Sequence, residues 1–283
     1  MIKKIHEVVS LDHDGLELYR TLKRPQAHRD MGIFIVEGSK VVERIFQSSI
    51  QVISILLTKE WFSQYKEIIS SRSEPISVYI ADKTLLQQIV GFNYHQAIMA
   101  VARVPESQTL ESAVNSSQSP RMFAALDSLE SSENVGVIVR NCAACGINTL
   151  IIGETTGDPY LRRAVRNSMG NVFKLSVVYS RNLGQSLREL STRFGFTNFA
   201  AHPKPDSISL DNVLFTGDCC MVLGNEADGI SNAILDTCAK AITIPMREGI
   251  DSFNVACASA IIFYEMARQR TMQLSMEQSS VEI

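Results

Sequence analysis

Residues 222–231 read Val222-Leu-Gly-Asn-Glu-Ala-Asp-Gly-Ile-Ser231. The run 219–223 that leads into them is apolar throughout, as expected of a strand buried on both faces of a sheet. Gly224 and Gly229 bracket a polar loop, and Ser231 is placed to cap a following helix. A buried strand that turns through glycines into a helix is the repeating unit of a parallel α/β sheet. Gly224 lets a ligand lie against the backbone, and Glu226 can accept hydrogen bonds from hydroxyls or an ammonium. The loop lacks the terminal Gly-Lys-Ser/Thr of a P-loop and the G-x-G-x-x-G of a dinucleotide site. By itself it reads equally well as an ordinary strand-to-helix turn.

Outward from this loop the same alternation continues. Strands are expected at 122–126, 150–152, 198–201, 219–223 and 241–244, with helices between them and a last helix over 252–270. Ligands of such sheets bind at the carboxyl ends of strands, which singles out the loops after Leu126, Leu223 and Ile244. Upstream, residues 105–120 (PESQTLESAVNSSQSP) are polar, Ser-rich and flanked by prolines, and read as a linker. Before it, strands at 33–36, 52–58, 76–80 and 98–104 alternate with helices over 39–47, around Trp61-Phe62, and over 83–90. The expected organisation is a small α/β domain over 1–104, a linker over 105–120 and a larger α/β domain over 121–283.

Two further constellations lie in the second domain. In Asn134-Val-Gly-Val-Ile-Val-Arg140, Val135, Ile138, Val139 and Cys142 fall at helical spacing and define a buried stripe. Asn134 stands at the helix start, where it can cap or face a ligand, and Arg140 offers a guanidinium suited to phosphate or a developing oxyanion. The bland alternative is a capped amphipathic helix with a solvated arginine. In Ile244-Pro-Met-Arg-Glu-Gly-Ile-Asp-Ser-Phe-Asn-Val-Ala256 a strand ends in an extended loop, and Ser252 is a good N-cap for the last helix. That helix opens with small residues and is apolar nearly all round, as for a helix buried between the sheet and something else, such as a second subunit. It reads as a buried C-terminal helix whether or not the loop binds anything.

The formal net charge of −3 excludes a wholly cationic nucleic-acid binder but not a local basic surface. No basic start with an apolar run suggests a secretory signal, and no apolar stretch is long enough for a membrane span. The six cysteines lie in apolar patterns of the second half, as expected of reduced thiols in a cytoplasmic protein. Cys142 and Cys145 form a CxxC without a second pair at zinc-ribbon spacing, so no metal site is expected.

In joint order, N-x-G-x-x-x-R at 134–140, L-G-N-E-x-x-G-I at 223–230, and I-P-M followed by S-F-N-V at 252–255 resemble the SpoU (TrmH-like) RNA 2′-O-ribose methyltransferases of the SPOUT superfamily. The resemblance spans about 122–268. The first domain is similar to the ribosomal-protein-like substrate domain often joined to these enzymes, through Phe34-Ile-Val-Glu-Gly38, Ile55-Leu-Leu-Thr58 and His95-Gln96. It implies a trefoil-knotted parallel-sheet domain, a homodimer with active sites near the interface, and S-adenosylmethionine as methyl donor. It places Leu223, Gly224, Glu226, Ile244, Met246, Ser252 and Phe253 around the donor, with Asn134, Arg140 and Asn254 as the catalytic group. The chain carries Ser131-Ser132-Glu133 where the family often has Asp-Pro-Gly, and Phe253 where it usually has leucine.

The implied reaction is methyl transfer to a ribose 2′-hydroxyl of structured RNA, ribosomal RNA ahead of transfer RNA. Arginine normally keeps its proton, so Arg140 is expected to stabilise the developing alkoxide and hold an RNA phosphate. RNA contact is expected from Arg162, Arg163 and Arg166 and from Arg20, Lys23, Arg24 and Arg29, which crowd one short segment with His28. Two rivals are a non-catalytic RNA-binding or ribosome-assembly factor and a nucleotide-dependent oxidoreductase. Arg140, Glu226 and Asn254 speak against the first, and the missing glycine fingerprint speaks against the second.

Overall fold

The computed structural model describes residues 1–22, 24–90, 97–204 and 206–281. Lys23, His95 and Gln96 therefore lie outside the described residues. Along the chain the elements are β1 (Ile2–Val8), α1 (Glu17–Arg20), α2 (Pro25–Asp30), β2 (Ile33–Glu37), α3 (Ser39–Phe46), β3 (Val52–Leu57), α4 (Lys59–Ser71), β4 (Ile76–Ala81), α5 (Lys83–Val90) and β5 (Ile98–Arg103). They continue as α6 (Leu110–Ser116), β6 (Met122–Leu126), α7 (Ser132–Ala144), β7 (Thr149–Ile152), α8 (Arg162–Asn167), β8 (Ser176–Tyr179) and α9 (Leu183–Phe194). The last are β9 (Thr197–Ala201), β10 (Ile208–Ser209), β11 (Cys219–Leu223), α10 (Asn232–Leu235), β12 (Lys240–Thr243) and α11 (Val255–Val281).

The chain divides into two compact units, one of Met1–Glu106 with Pro159–Phe173, the other of Ser107–Asp158 with Lys174–Ile283. In the first, the strand order is β1-β4-β3-β5-β2. β1, β4 and β3 run parallel, whereas β5 is antiparallel to both β3 and β2. Leu16, Leu56, Leu86, Met99 and Val101 build one core on this sheet. Buried Tyr19 keeps its hydroxyl satisfied by Ser54 at 2.9 Å.

The second unit is a parallel sheet in the order β10-β12-β9-β11-β6-β7-β8. β11 is buried from end to end and β6 from Phe123 onward, as for strands covered on both faces, which is why they read as continuous apolar runs. Register pairs Leu223 with Leu126 and Ala201 with Ile242, so the loops after β6, β9, β11 and β12 leave from one edge. β8 and β10, which sequence reading missed, lie at the two edges of the sheet and are short. Among the described residues no helix is long and apolar enough to cross a membrane.

The stretch expected to be a linker is different in structure. Leu110, Ala113 and Val114 recur at helical spacing, are buried, and join the core of the second unit through α6. Thr109 caps this helix by accepting from Ser112 N at 3.1 Å. The surrounding serines hid three well-spaced apolar positions, and three suffice to dock a two-turn helix.

Candidate active site

α7 begins where the sheet delivers the chain from β6. Ser131, not Asn134, caps it, accepting from the Asn134 backbone N–H at 3.3 Å. Val135, Ile138, Val139 and Cys142 are buried as the spacing predicts. Asn141 Nδ2 donates to Ala256 O and to Ser259 Oγ, each at 2.9 Å, and so ties α7 to α11. Because Ser131 takes the capping role, the Asn134 amide is free for other partners.

The loop after β11 is held by its own backbone. Asn225 and Gly229 exchange both N–H···O bonds, at 2.9 and 3.0 Å, and Asn225 Oδ1 accepts from Ala227 N at 2.8 Å. Gly229 has a φ of +71°, and a Cβ at Gly224 would collide with the Gly229 carbonyl group. Gly224 is thus demanded by close backbone approach, and Gly229 by its left-handed turn. Asn225 Nδ2 donates to Ser128 O at 2.7 Å, and Asp127 accepts from Ser231 N at 2.9 Å, joining this loop to the one after β6. The loop presents Glu226, which accepts from Asn134 Nδ2 at 2.7 Å.

After β12 the chain runs on to Asn254, whose Oδ1 accepts from Ala256 N at 2.9 Å and caps α11. The helix therefore starts later than expected and Ser252 does not cap it, since the better-placed side chain is Asn254. Asn254 Nδ2 also donates to Asn134 Oδ1 at 3.3 Å.

These loops enclose a cavity of about 480 Å³, lined by Leu223, Gly224, Glu226, Ile244, Met246, Ser252, Phe253 and Asn254 together with the end of β9. That volume is in the range of small-molecule sites. The wall is apolar at Leu223, Ile242, Ile244 and Ile262, and polar at Glu226 and Asn254. S-adenosylmethionine, with a flat base, a ribose and a charged end, matches this division. His202 is also a lining residue, and its two ring nitrogens are both buried without a hydrogen-bond partner. Asn134 reaches the cavity through its bonds to Glu226 and Asn254. Arg140 is exposed on α7 and does not line the cavity of its own chain. Sequence reading missed His202 and Lys204, although the strand-end rule applied to β9 as well as to its neighbours.

The basic residues divide differently. In the first unit Arg162 Nε donates to Glu37 Oε2 at 2.6 Å, and the Glu37 side chain is only 3% exposed. Arg162 thus pairs with a buried carboxylate, which exposed Arg166 also approaches at 4.0 Å, and Arg163 is exposed. Arg20, Arg24 and Arg29 are exposed too, with Arg20 3.8 Å from Asp12. His28 is buried against Thr21 Oγ1 at 2.8 Å and is a packing residue. Burial raises the thiol pKa values of Cys142 and Cys145. Among the described residues no group of three His, Cys, Asp or Glu could hold a metal ion.

Comparison with known proteins agrees with this geometry. Residues 121–264 match the SpoU rRNA Methylase family, and residues 35–108 match the RNA 2′-O ribose methyltransferase substrate-binding domain. A Mycobacterium tuberculosis protein named as an uncharacterized tRNA/rRNA methyltransferase is 28% identical, over 93% of this chain and 92% of its own length. The 23S rRNA (guanosine-2′-O-)-methyltransferase RlmB of Xylella fastidiosa is 28% identical over 72% of this chain and 82% of its own. The crystal structure of an rRNA methyltransferase from Sinorhizobium meliloti shares the fold, with a TM-score of 0.81 at 21% identity, over 93% of this chain and 98% of that one. The chain belongs to the SpoU rRNA methylase family and is an RNA 2′-O-ribose methyltransferase.

Proposed function

We propose that this chain methylates a ribose 2′-hydroxyl of ribosomal RNA, with S-adenosylmethionine as donor, as a cytoplasmic homodimer. The observation that carries the reading is the meeting of the Gly224 loop, the loop from Ile244 to Asn254 and Asn134 at one cavity. Ribosomal RNA is preferred over transfer RNA on the strength of the RlmB relative. The donor supplies a methyl group on a cationic sulfur, already activated for transfer.

Leu223, Ile244, Met246 and Phe253 exclude water around the donor, and Gly224 lets the Gly229 backbone close the loop beside it. Ser252 lines the same cavity. Glu226 faces the cationic side, held in orientation by Asn134, which Asn254 holds in turn. Such preorganised contacts cost little reorganisation during reaction. Arg140 stabilises the alkoxide that forms as the ribose oxygen attacks and grips a neighbouring phosphate. Arg20, Lys23, Arg24, Arg29, Arg163 and Arg166 are proposed to contact the RNA backbone.

The homodimer rests on an unpartnered stripe. Cys257, Ile261 and Tyr264 are exposed at helical spacing along α11, with Phe253 just before it. A second copy covering this face removes apolar surface from water. The same contact brings Arg140, which is outside its own chain's cavity, to the shared site. The trefoil knot is read with the family onto the parallel sheet of the second unit.

The test is methylation of ribosomal RNA stripped of modification, using labelled donor and mapping of ribose methyls. A single protein-dependent 2′-O-methyl is expected. Donor binding by calorimetry without any methyl transfer would instead favour a non-catalytic RNA-binding role.

A further inference from the structure

Asn141 joins α7 to α11 yet is not a lining residue of the cavity. It lies seven residues after Asn134, two turns on and on the same face of α7. The two asparagines therefore grip α11 at two heights. Asn134 Oδ1 accepts from Asn254 at the start of that helix, and Asn141 Nδ2 donates to Ala256 O and Ser259 Oγ within its first turns. Ser259, wholly buried, donates back to Ala256 O at 2.8 Å and closes a triangle of bonds. Ala256 is held from both ends, since its N–H donates to Asn254 Oδ1 at 2.9 Å.

The buried side chains nearby in sequence are apolar, Val135, Ile138 and Cys142 on α7 and Ile262, Phe263 and Met266 on α11. Apolar contact is non-directional and tolerates a small slide or turn of one helix on the other. Hydrogen bonds weaken steeply with distance and angle, so one polar node in an apolar contact can set the register of two helices. Register matters here because of the bonds nearer the cavity. At 3.3 Å the Asn134–Asn254 bond is already long, and a shift of about half an ångström breaks it. Asn134 would then lose one of the two contacts that orient it towards Glu226.

Building on the reading of this cavity as the site of methyl transfer, we propose that Asn141 is a positioning residue for the reaction. By fixing the register of α7 against α11 at Ala256 and Ser259, it keeps Asn134 and Asn254 within bonding distance of each other.

The test is single-turnover methylation of unmodified ribosomal RNA by the full chain at saturating S-adenosylmethionine. Asn141→Leu with Ser259→Ala replaces both sides of the node by apolar groups, a change that costs little stability. This double variant should melt near the wild type and reach its half-maximal rate at the same RNA concentration. Its maximal rate should fall about tenfold to a hundredfold, the cost of a small misplacement of reacting groups. In an Asn254→Ser background, where serine can still cap α11 but is too short to reach Asn134, the same two substitutions should change the rate less than about twofold. Leu187→Ala, a loss of buried packing in α9, lowers stability alone and should keep the wild-type rate. Ser259→Ala by itself, which removes only a buried hydroxyl, is read in the same way if the double variant does not fold. A wild-type rate without the node, an equal loss from Leu187→Ala, or the same fold-loss in the Asn254→Ser background overturns the assignment while leaving the site of methyl transfer standing. Absence of methylation by the wild type removes that reading, and this inference with it.

Discussion

Asn134 and Glu226 are joined side chain to side chain at 2.7 Å across 92 residues of chain. This contact closes the helix after β6 onto the loop after β11, and Asn254 completes the chain of amides from the third loop. Glu226→Ala breaks it at an exposed position with little packing. Donor affinity is expected to fall about tenfold to a hundredfold, as for loss of a charged hydrogen-bonding group, with a melting temperature near that of wild type. Calorimetry and thermal melting measure the two quantities, and unchanged affinity would remove Glu226 from the site.

Arg140→Ala should leave donor binding and melting unchanged, since the side chain is exposed and does not line the cavity. Turnover should fall roughly 100- to 1000-fold, the usual consequence of losing one donor to a developing oxyanion. Single-turnover methylation at saturating donor and RNA checks this, and a wild-type rate would end the catalytic role.

Gly224→Ala forces a methyl into the Gly229 carbonyl carbon and oxygen, which are backbone and cannot swing aside. The loop must open, at a cost of about 1–3 kcal/mol for overpacking. Denaturant titration should show that loss, and donor binding should fall below detection. Normal donor binding by the Gly224→Ala variant would mean that the close approach is not required.

Glu37→Ala leaves Arg162, whose side chain is 25% exposed, without its partner at 2.6 Å. Removing one side of a buried ion pair destabilises by roughly 3 kcal/mol, whereas replacing both sides by apolar residues is often neutral. Chemical denaturation of Glu37→Ala and of the double variant Glu37→Leu with Arg162→Met should reproduce that order. Equal destabilisation by the two would instead assign the cost to lost packing.

Burial pushes the Asp218 pKa up, but hydrogen bonds from Arg121 N at 2.6 Å and Ser119 Oγ at 2.8 Å, and the Arg121 guanidinium, more than reverse this, so it is lowered. The unfolded chain then binds the proton more readily, and the stabilisation is complete above about pH 4 and lost as pH falls through the folded pKa. Asp218→Asn should be less stable by about 1–2 kcal/mol at pH 7, with the gap closing in acid. A gap independent of pH between 7 and 3 would contradict the linkage.

The sequence alone was enough for the inner strands of the second unit's sheet, but not for its edge strands β8 and β10. β6 and β11 fall at the residues expected because strands buried on both faces are marked by unbroken apolar runs. Gly224 was legible for a related reason, since it sits at a turn whose chemistry is local, whereas the cap of α11 fell on Asn254 rather than Ser252, and His202 and Lys204 were missed. Periodicity is also local, but in α6 three apolar positions among serines were too few to outweigh composition. What only the tertiary structure decided is which side chain meets which. Ser131 rather than Asn134 caps α7, Arg162 turns to Glu37, and His202 stands between two loops distant in sequence. These outcomes depend on strand order, and strand order follows from how the whole chain buries its surface, which no window of sequence contains.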